Sequence, residues 1–293
     1  MQTSLENTTT SRTTKPDSIP ETTIAITSPT HSNLKIYLGF AVAILLAMFL
    51  MSYALVYASR DSLPGEPLYT FKTNIAEELS ARTKLGATAQ TEFALQRIET
   101  RFTELQMLAA DEATTTPDTL QVVASLANEH AKTVVETLDT DNSLSPETKM
   151  EALVKLTYLT RAGETLSDTV NEFKPIREQI SVSEELANNS LKNTINTFVS
   201  TSDPEVVSAF LVTQMADVST TLPNVANGSR AQRLAVARVN DMNEAIEDNQ
   251  MAEAIKYILK AKEAIAIDAY LYDSERGFVD GITPEILPMP EGS

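Results

Sequence analysis

The stretch TPDTLQVVASLANEHAKTVVETL, residues 116–138, decides the fold class. Thr116 before Pro117 is typical of a helix N-terminus, where a hydroxyl caps the first turn and proline's missing N–H costs nothing. Five apolar residues of the stretch then fall within about 60° of one another on a helical wheel. They are Leu120, Val123, Ala127, Val134 and Leu138. The pattern predicts an amphipathic helix that packs by one face.

The same signals recur along the chain. Ser145-Pro146 and Asp203-Pro204 predict helix starts, as does Asn227-Gly228-Ser229. Phe173-Lys174-Pro175 predicts an interruption. Sustained alternation of apolar and polar residues, typical of strands, is missing from this part of the sequence. The predicted helices are 67–81, 84–112, 117–139, 146–172, 180–200, 204–221, 230–248 and 251–273.

An apolar run precedes these helices. IYLGFAVAILLAMFLMSYALVYA, residues 36–58, is 23 residues without a charge. At about 1.5 Å per residue it would be about 35 Å long, enough to cross a hydrocarbon core of about 30 Å. We therefore predict an all-α protein with one transmembrane helix in the lipid bilayer, followed by a multi-helix bundle or array. The alternative is a secretory signal cleaved after Ala58, which the length and late position of the run disfavour.

Charge suggests an orientation and excludes some partners. The basic residues near the run favour a cytoplasmic N-terminus and an extracytoplasmic C-terminal domain at the plasma membrane. Residues 61–293 carry 19 Lys and Arg against 37 Asp and Glu. Such an acidic domain repels nucleic acid, so we expect no nucleic-acid partner.

Composition divides the chain into four parts. Residues 1–33 are rich in Thr and Ser and lack apolar periodicity, which predicts a disordered tail. The transmembrane helix at 36–58 is followed by an α-helical domain at 61–275. Residues 277–293 contain three prolines and predict an extended tail.

Residue types that usually carry catalysis or bind metals are scarce. Cysteine is absent, and histidine occurs only at His31 and His130. His130 lies at the edge of its helix stripe, where we expect a boundary residue. The segment DTDNSLSPETKME, residues 139–151, resembles a calcium loop, but Leu144 and Met150 stand where that loop needs glycine and glutamate. We interpret it as a capped turn, with calcium as the alternative, and predict no catalytic, cofactor-binding or metal-binding residues and no cofactor.

Two groups of charged residues lie beside apolar stripes. In the helix at 84–112, Arg97, Arg101 and Glu104 fall within about 60° of each other, and the last two are spaced to pair. A structural salt bridge is the favoured interpretation and a ligand-binding arginine pair is the alternative. Lys262 falls inside an apolar stripe, and we expect its ammonium group to reach solvent.

The residues after the apolar run, LPGEPLYTFK at 63–72, predict an elbow. Pro64-Gly65 suits the centre of a type II turn. Pro67 suits the first turn of the next helix. An apolar stripe on this helix is expected to dock while Lys72 stays near solvent. Its residues are Leu68, Phe71, Ile75 and Leu79.

The elbow and the arginine-containing helix together resemble a known family. LPGEPLYTFKTNIAEEL, residues 63–79, and AQTEFALQRIETRFTEL, residues 89–105, resemble a bacterial family of single-pass membrane proteins with an extracytoplasmic domain of unknown function. The resemblance implies a cytoplasmic N-terminus and an external acidic helical domain, and it supplies no activity. The residues that carry it are Leu63, Pro64, Gly65, Leu68, Tyr69, Lys72, Arg97, Arg101 and Glu104.

These features favour a non-enzymatic, membrane-anchored helical module that binds a protein or cell-envelope component outside the cytoplasm. The alternative is a transmembrane signalling protein, similar to an anti-sigma regulator, although the first 35 residues are too short and polar for a folded sigma-binding domain. An envelope-acting enzyme is less favoured.

Overall fold

The computed structural model describes residues 31–110, 116–169 and 174–280, with side chains described for 37–108, 116–165 and 176–270. Every regular element in these residues is a helix, which confirms the all-α prediction. The chain divides into two compact units, residues 1–54 and residues 55–293.

The helix α1, His31–Ser59, accounts for the described part of the first unit and continues into the second. It contains Tyr37–Ser59, a segment of 23 residues with a mean hydropathy of 2.3. By length and composition this segment can cross a membrane. Its apolar side chains from Tyr37 to Tyr53 are largely exposed.

Eight further helices and a short 3₁₀ turn, Leu222–Asn224, follow in the described part of the second unit. The first, α2 at residues 69–83, is built from Tyr69–Phe71, a π-helical turn Lys72–Ala76, and Glu77–Thr83. The others are α3 (Ala87–Ala110), α4 (Pro117–Thr140), α5 (Pro146–Thr169), α6 (Lys174–Thr201), α7 (Pro204–Thr221), α8 (Arg230–Glu247) and α9 (Met251–Asp280).

Helices α3 to α9 of the second unit pack as an array around one core. The helix α3 packs on α4 and α5, α6 packs on α4 and α5, and α9 packs on α5, α6, α7 and α8. The stripe predicted on α4 is buried throughout, and Thr116 caps that helix through a hydrogen bond from Thr119 N. Gly163 of α5 lies so close to the Phe102 ring of α3 that a Cβ atom there would overlap it.

Two predicted boundaries differ from the structure by six residues or more. The helix α6 begins at Lys174 rather than at residue 180, because proline is tolerated in a first turn. The helix α9 continues to Asp280, past the predicted start of the tail at residue 277. The rest of that tail and most of the N-terminal tail lie outside the described residues.

Candidate functional site: a buried charge cluster

The elbow forms the turn that the sequence predicts. The N–H of Glu66 donates to the carbonyl of Leu63 at 3.0 Å, and Gly65 has a φ of 97°. A residue with a Cβ rarely adopts this backbone conformation, so glycine at this position has a structural reason. The turn is closed further by the Glu66 carboxylate, whose Oε2 accepts from the N–H of Leu63 at 2.9 Å.

The π-helical turn decides which face of α2 is buried. The N–H of Glu77 donates to the carbonyl of Lys72, five residues earlier instead of four. In a regular helix, Tyr69 and Glu77 would point about 80° apart. The extra residue in the turn removes about 100° of rotation, so both side chains face α3.

The predicted docking of the apolar stripe on α2 is therefore wrong. Ile75 is 51% exposed and Leu79 is 58% exposed, while Lys72 is only 7% exposed. The helix contacts α3 through Tyr69, Lys72 and Glu77. The expectation that Lys72 stays near solvent is wrong as well.

Six residues form the buried charge cluster at this contact. They are Tyr69, Lys72, Glu77, Arg97, Arg101 and Glu104. The carboxylate of Glu104 lies at its centre. Lys72 Nζ donates to Glu104 Oε1 at 2.7 Å, and the Tyr69 hydroxyl donates to Glu104 Oε2 at 2.8 Å. Arg101 Nη2 lies 3.1 Å from Glu104 Oε1, which confirms the predicted pairing of these two residues.

The two arginines extend the cluster to the middle of α2. Arg101 Nη1 donates to the Tyr69 hydroxyl at 2.7 Å, and Arg101 Nη2 donates to Glu77 Oε1 at 2.5 Å. Arg97 Nε donates to Glu77 Oε2 at 3.1 Å, and its Nη2 donates to Glu78 Oε1 at 3.1 Å. Each arginine therefore bridges α3 to α2.

Burial sets the electrostatics of the cluster. Arg101 has no exposed surface and Glu104 is 2% exposed, so neither charge is solvated by bulk water. Burial, and then the neighbouring Glu104 carboxylate, raise the pKa of Tyr69 above its ordinary value. The phenol consequently stays protonated and donates to Glu104 while it accepts from Arg101. The three cations Lys72, Arg97 and Arg101 are balanced by Glu77, Glu78 and Glu104.

His130 of α4 is fully inside the domain, contrary to the expectation of a boundary residue. It is 5% exposed, and its Nε2 has no hydrogen-bond partner among the described residues. Burial, with a contribution from Arg97 and Arg101, lowers the pKa of His130 to about 3. The imidazole is therefore neutral at physiological pH.

The geometry of the cluster favours a structural role. The charged groups are engaged with each other, and the contacts join two helices that are separated by a loop. An arginine pair that binds a ligand would need to offer donors to that ligand, whereas Arg101 is fully enclosed. Of the two interpretations drawn from the sequence, the structural salt bridge fits better.

A second buried charge, which the sequence did not reveal, lies between α5, α6 and α9. Glu263 is 2% exposed, and its carboxylate lies 2.5 Å from Arg161 Nη1 and 2.8 Å from Lys260 Nζ. Lys260 Nζ also donates to Asn188 Oδ1 at 2.9 Å, and Arg161 also pairs with Glu184. The only available signal was the spacing of Glu263, four residues after the core residue Leu259.

The other charged residues named from the sequence have simple roles. Lys262 does not simply reach solvent, because its Nζ lies 2.6 Å from Asp217 Oδ2 and donates to Gln214 Oε1 at 2.8 Å. In the segment 139–151, Asp139 accepts from Ser190 Oγ at 2.7 Å, and Asp141 accepts from the N–H of Ser143 at 2.7 Å. These contacts fit the capped turn, and the described residues hold no group of three or more His, Cys, Asp or Glu residues placed to bind a metal ion.

Comparisons with known proteins do not identify the chain. No protein-family model matches it, and neither the curated proteins nor the solved structures contain a significant match. The family resemblance carried by the elbow and by Arg97, Arg101 and Glu104 stays a prediction.

Proposed function

We propose that this protein is a membrane-anchored helical module that binds a protein or cell-envelope component outside the cytoplasm. The observation that carries the proposal is the buried charge cluster. It joins the segment that directly follows the apolar helix to the helical domain, through residues that lie 20 to 35 positions apart.

The connection between the apolar helix and α2 is itself ordered by hydrogen bonds. Ser59 and Ser62 are buried, and Ser62 Oγ donates to the carbonyl of Ser59 at 2.7 Å. Lys72 Nζ donates to the carbonyl of Ser62 at 3.2 Å in addition to its bond with Glu104. These bonds order residues 59–72 within the second unit, which supports a folded domain that begins directly after the apolar helix.

The charge of the domain narrows the class of partner. An acidic excess over residues 61–293 disfavours anionic polymers and anionic lipid headgroups. We therefore expect a partner with a neutral or basic surface.

Topology can be tested with single cysteines, because the chain has none of its own. One variant carries Ser11→Cys in the N-terminal segment, and the other carries Ser208→Cys at an exposed position of α7. In intact cells, a membrane-impermeant maleimide should label the Ser208→Cys variant and should label the Ser11→Cys variant only after permeabilisation. The reverse pattern contradicts the proposal, and so does a membrane-fraction mass that lacks residues 1–58.

Binding is tested by capturing envelope components on the full chain in detergent. The matched control is the same chain with Arg101→Met, which should disturb the domain while keeping the apolar helix. A partner retained by the first and lost by the second supports the proposal. Turnover by the purified chain that depends on His130 or Lys262 would overturn it in favour of an enzyme.

Transmembrane signalling is the second candidate, and the π-helical turn Lys72–Ala76 favours it. Such turns often occur at functional sites, and salt-bridge networks can have two discrete arrangements. Signalling through the N-terminal tail requires that tail, so we expect deletion of residues 1–33 to abolish the response to the partner. An unchanged response contradicts this candidate and leaves the binding module in place.

A further inference from the structure

The outer face of α8 carries a regular pattern that the fold does not use. The inner face of this helix buries Ala231, Ala235, Met242 and Ala245, where it packs on α9. On the opposite side, six exposed residues recur at intervals of three and four positions. We call them the outer stripe of α8: Arg230, Arg233, Ala237, Asn240, Glu244 and Glu247.

The charges of the outer stripe are complementary to those of a second, antiparallel copy of the same stripe. A two-fold axis between residues 238 and 239 would place Arg230 opposite Glu247 of a second copy. The same axis would place Arg233 opposite Glu244. At the centre, Ala237 would face Asn240, and these short side chains allow the close approach of two helices at about 8–10 Å.

The charges of the outer stripe are unfavourable for an isolated helix. A helix is stabilised by acidic residues in its first turn and by basic residues in its last turn, and α8 has neither. Instead, Arg230 lies at the first position and Glu247 at the last. Antiparallel pairing removes this cost, because each end then meets the opposite charge on the other copy.

These charges are also available for pairing. Within the described residues Arg230, Glu244 and Glu247 take part in no ion pair, and Arg233 donates to the carbonyl of Gly228 in its own loop. Two apolar side chains flank the stripe, since Leu234 is 41% exposed and Val236 is 43% exposed. They add apolar area that pairing would remove from water.

We propose that the outer stripe of α8 is a self-association surface, on which a second copy of this chain packs its own α8 in the antiparallel direction. The proposal is independent of membrane anchoring. Anchoring affects only the strength of self-association. One pair of helices about 25 Å long makes a small interface, which is weak in dilute solution. Confinement to a membrane raises the effective concentration of the chain and so favours the dimer.

Cysteine cross-linking of the full chain in lipid vesicles tests the geometry, with no native cysteine to interfere. Ala237→Cys lies next to the axis and should give a disulfide-linked dimer on oxidation. Arg230→Cys alone and Glu247→Cys alone should not, because each would lie about 25 Å from its counterpart. A chain that carries both substitutions should cross-link, because position 230 of one copy then faces position 247 of the other. Ser208→Cys on α7 is the control for random collisions.

Charge reversal tests the pairing itself in the Ala237→Cys chain. Arg230→Glu or Glu247→Arg alone places like charges opposite each other, and each should lower the dimer yield about threefold to tenfold. Both reversals together should restore the yield. Each reversal suits the helix dipole, so the melting temperature should stay the same or rise, which separates lost pairing from lost folding.

Three results overturn the proposal. One is a dimer yield of the Ala237→Cys chain no greater than that of the Ser208→Cys chain. Another is equal cross-linking at positions 230, 237 and 247 taken singly, which indicates parallel pairing. The third is a double reversal that fails to restore the yield lost by the single reversals.

Discussion

Arg101 has no exposed surface, so the free energy of its charge depends on Tyr69, Glu77 and Glu104. A buried pair of this kind adds little net stability relative to an apolar contact, because desolvation offsets the attraction between the charges. Removal of one partner is costly, since the other charges remain buried without compensation. The cluster should therefore be sensitive to single substitutions.

The first prediction concerns Arg101→Met, which keeps an unbranched apolar stem at this position and removes the guanidinium group with its charge. It leaves Glu104 and Glu77 partly unpaired, and we expect the free energy of unfolding to fall by about 3–5 kcal/mol. Urea unfolding followed by circular dichroism measures the change. The matched control is Lys132→Met, whose exposed pairing with Glu136 at 3.7 Å should contribute less than about 0.5 kcal/mol. Equal effects of the two substitutions would refute a structural role of the cluster.

The second prediction concerns pH and His130. Its pKa is lowered from 6.5 to about 3, so between these values the unfolded chain binds a proton that the folded chain does not. The contribution of His130 to the free energy of unfolding is complete above pH 6.5 and decreases as the pH falls towards 3. Between pH 7 and pH 5 the free energy of unfolding should fall by about 2 kcal/mol for this reason. Unfolding curves at both pH values should therefore show a smaller loss for His130→Leu than for the native chain. The same pH dependence in both chains would contradict this origin.

The sequence revealed part of this site. Spacing on one helix was enough to group Arg97, Arg101 and Glu104, because residues three and four apart share a face. It predicted the wrong environment for Lys72, since that lysine is buried only because Glu104, 32 positions away, lies opposite it. Contacts between distant segments cannot be read from helical periodicity.

At the scale of the element, α2 shows that one extra residue in a helical turn can change which face of the helix is buried. The stripe of Leu68, Phe71, Ile75 and Leu79 is a genuine helical pattern, but it assumes a constant 100° per residue. The π-helical turn Lys72–Ala76 breaks that assumption, and no residue type in it marks the turn in advance. The charged side of the helix consequently faces the domain.

The third prediction is that the length of this turn matters more than its exposed side chains. Deletion of Asn74 should restore a regular helix and rotate Glu77 by about 100° away from Arg97 and Arg101. Asn74→Ala keeps the length and changes only an exposed residue. We expect the deletion to lower the melting temperature by several degrees and the substitution to leave it nearly unchanged. If both variants have the same melting temperature, the pairing of Glu77 with Arg97 and Arg101 does not depend on the π-helical turn.

At the scale of the whole molecule, the fold class and most helix starts could be predicted from the sequence. Capping residues mark starts clearly, as Thr116 and Ser229 show by accepting hydrogen bonds from the first turn. Helix ends are marked less reliably. Asn249, with a φ of 59°, follows the end of α8, whereas α9 continues through Gly277 to Asp280. The order of packing, including the burial of Glu263, depends on contacts that only the folded chain defines.

The fourth prediction compares two fragments without the apolar helix. Residues 61–293 should unfold in one transition. Residues 84–293 lose the α2 side of the cluster, although Tyr69 is the only large core side chain removed. We expect the shorter fragment to melt about 10 °C lower, because Arg101 and Glu104 lose their partners. Calorimetry of both fragments measures this, and equal melting temperatures would show that α2 is dispensable.

The position of the charge cluster along the chain also has a consequence for biosynthesis. Its contacts close loops of 20 to 35 residues, whereas the contact between Lys260 and Asn188 spans 72. A chain made from its N-terminus can complete the cluster once α3 has emerged, before α9 has been translated. The segment after the apolar helix would then be folded first, and the later helices would be added to it during translation.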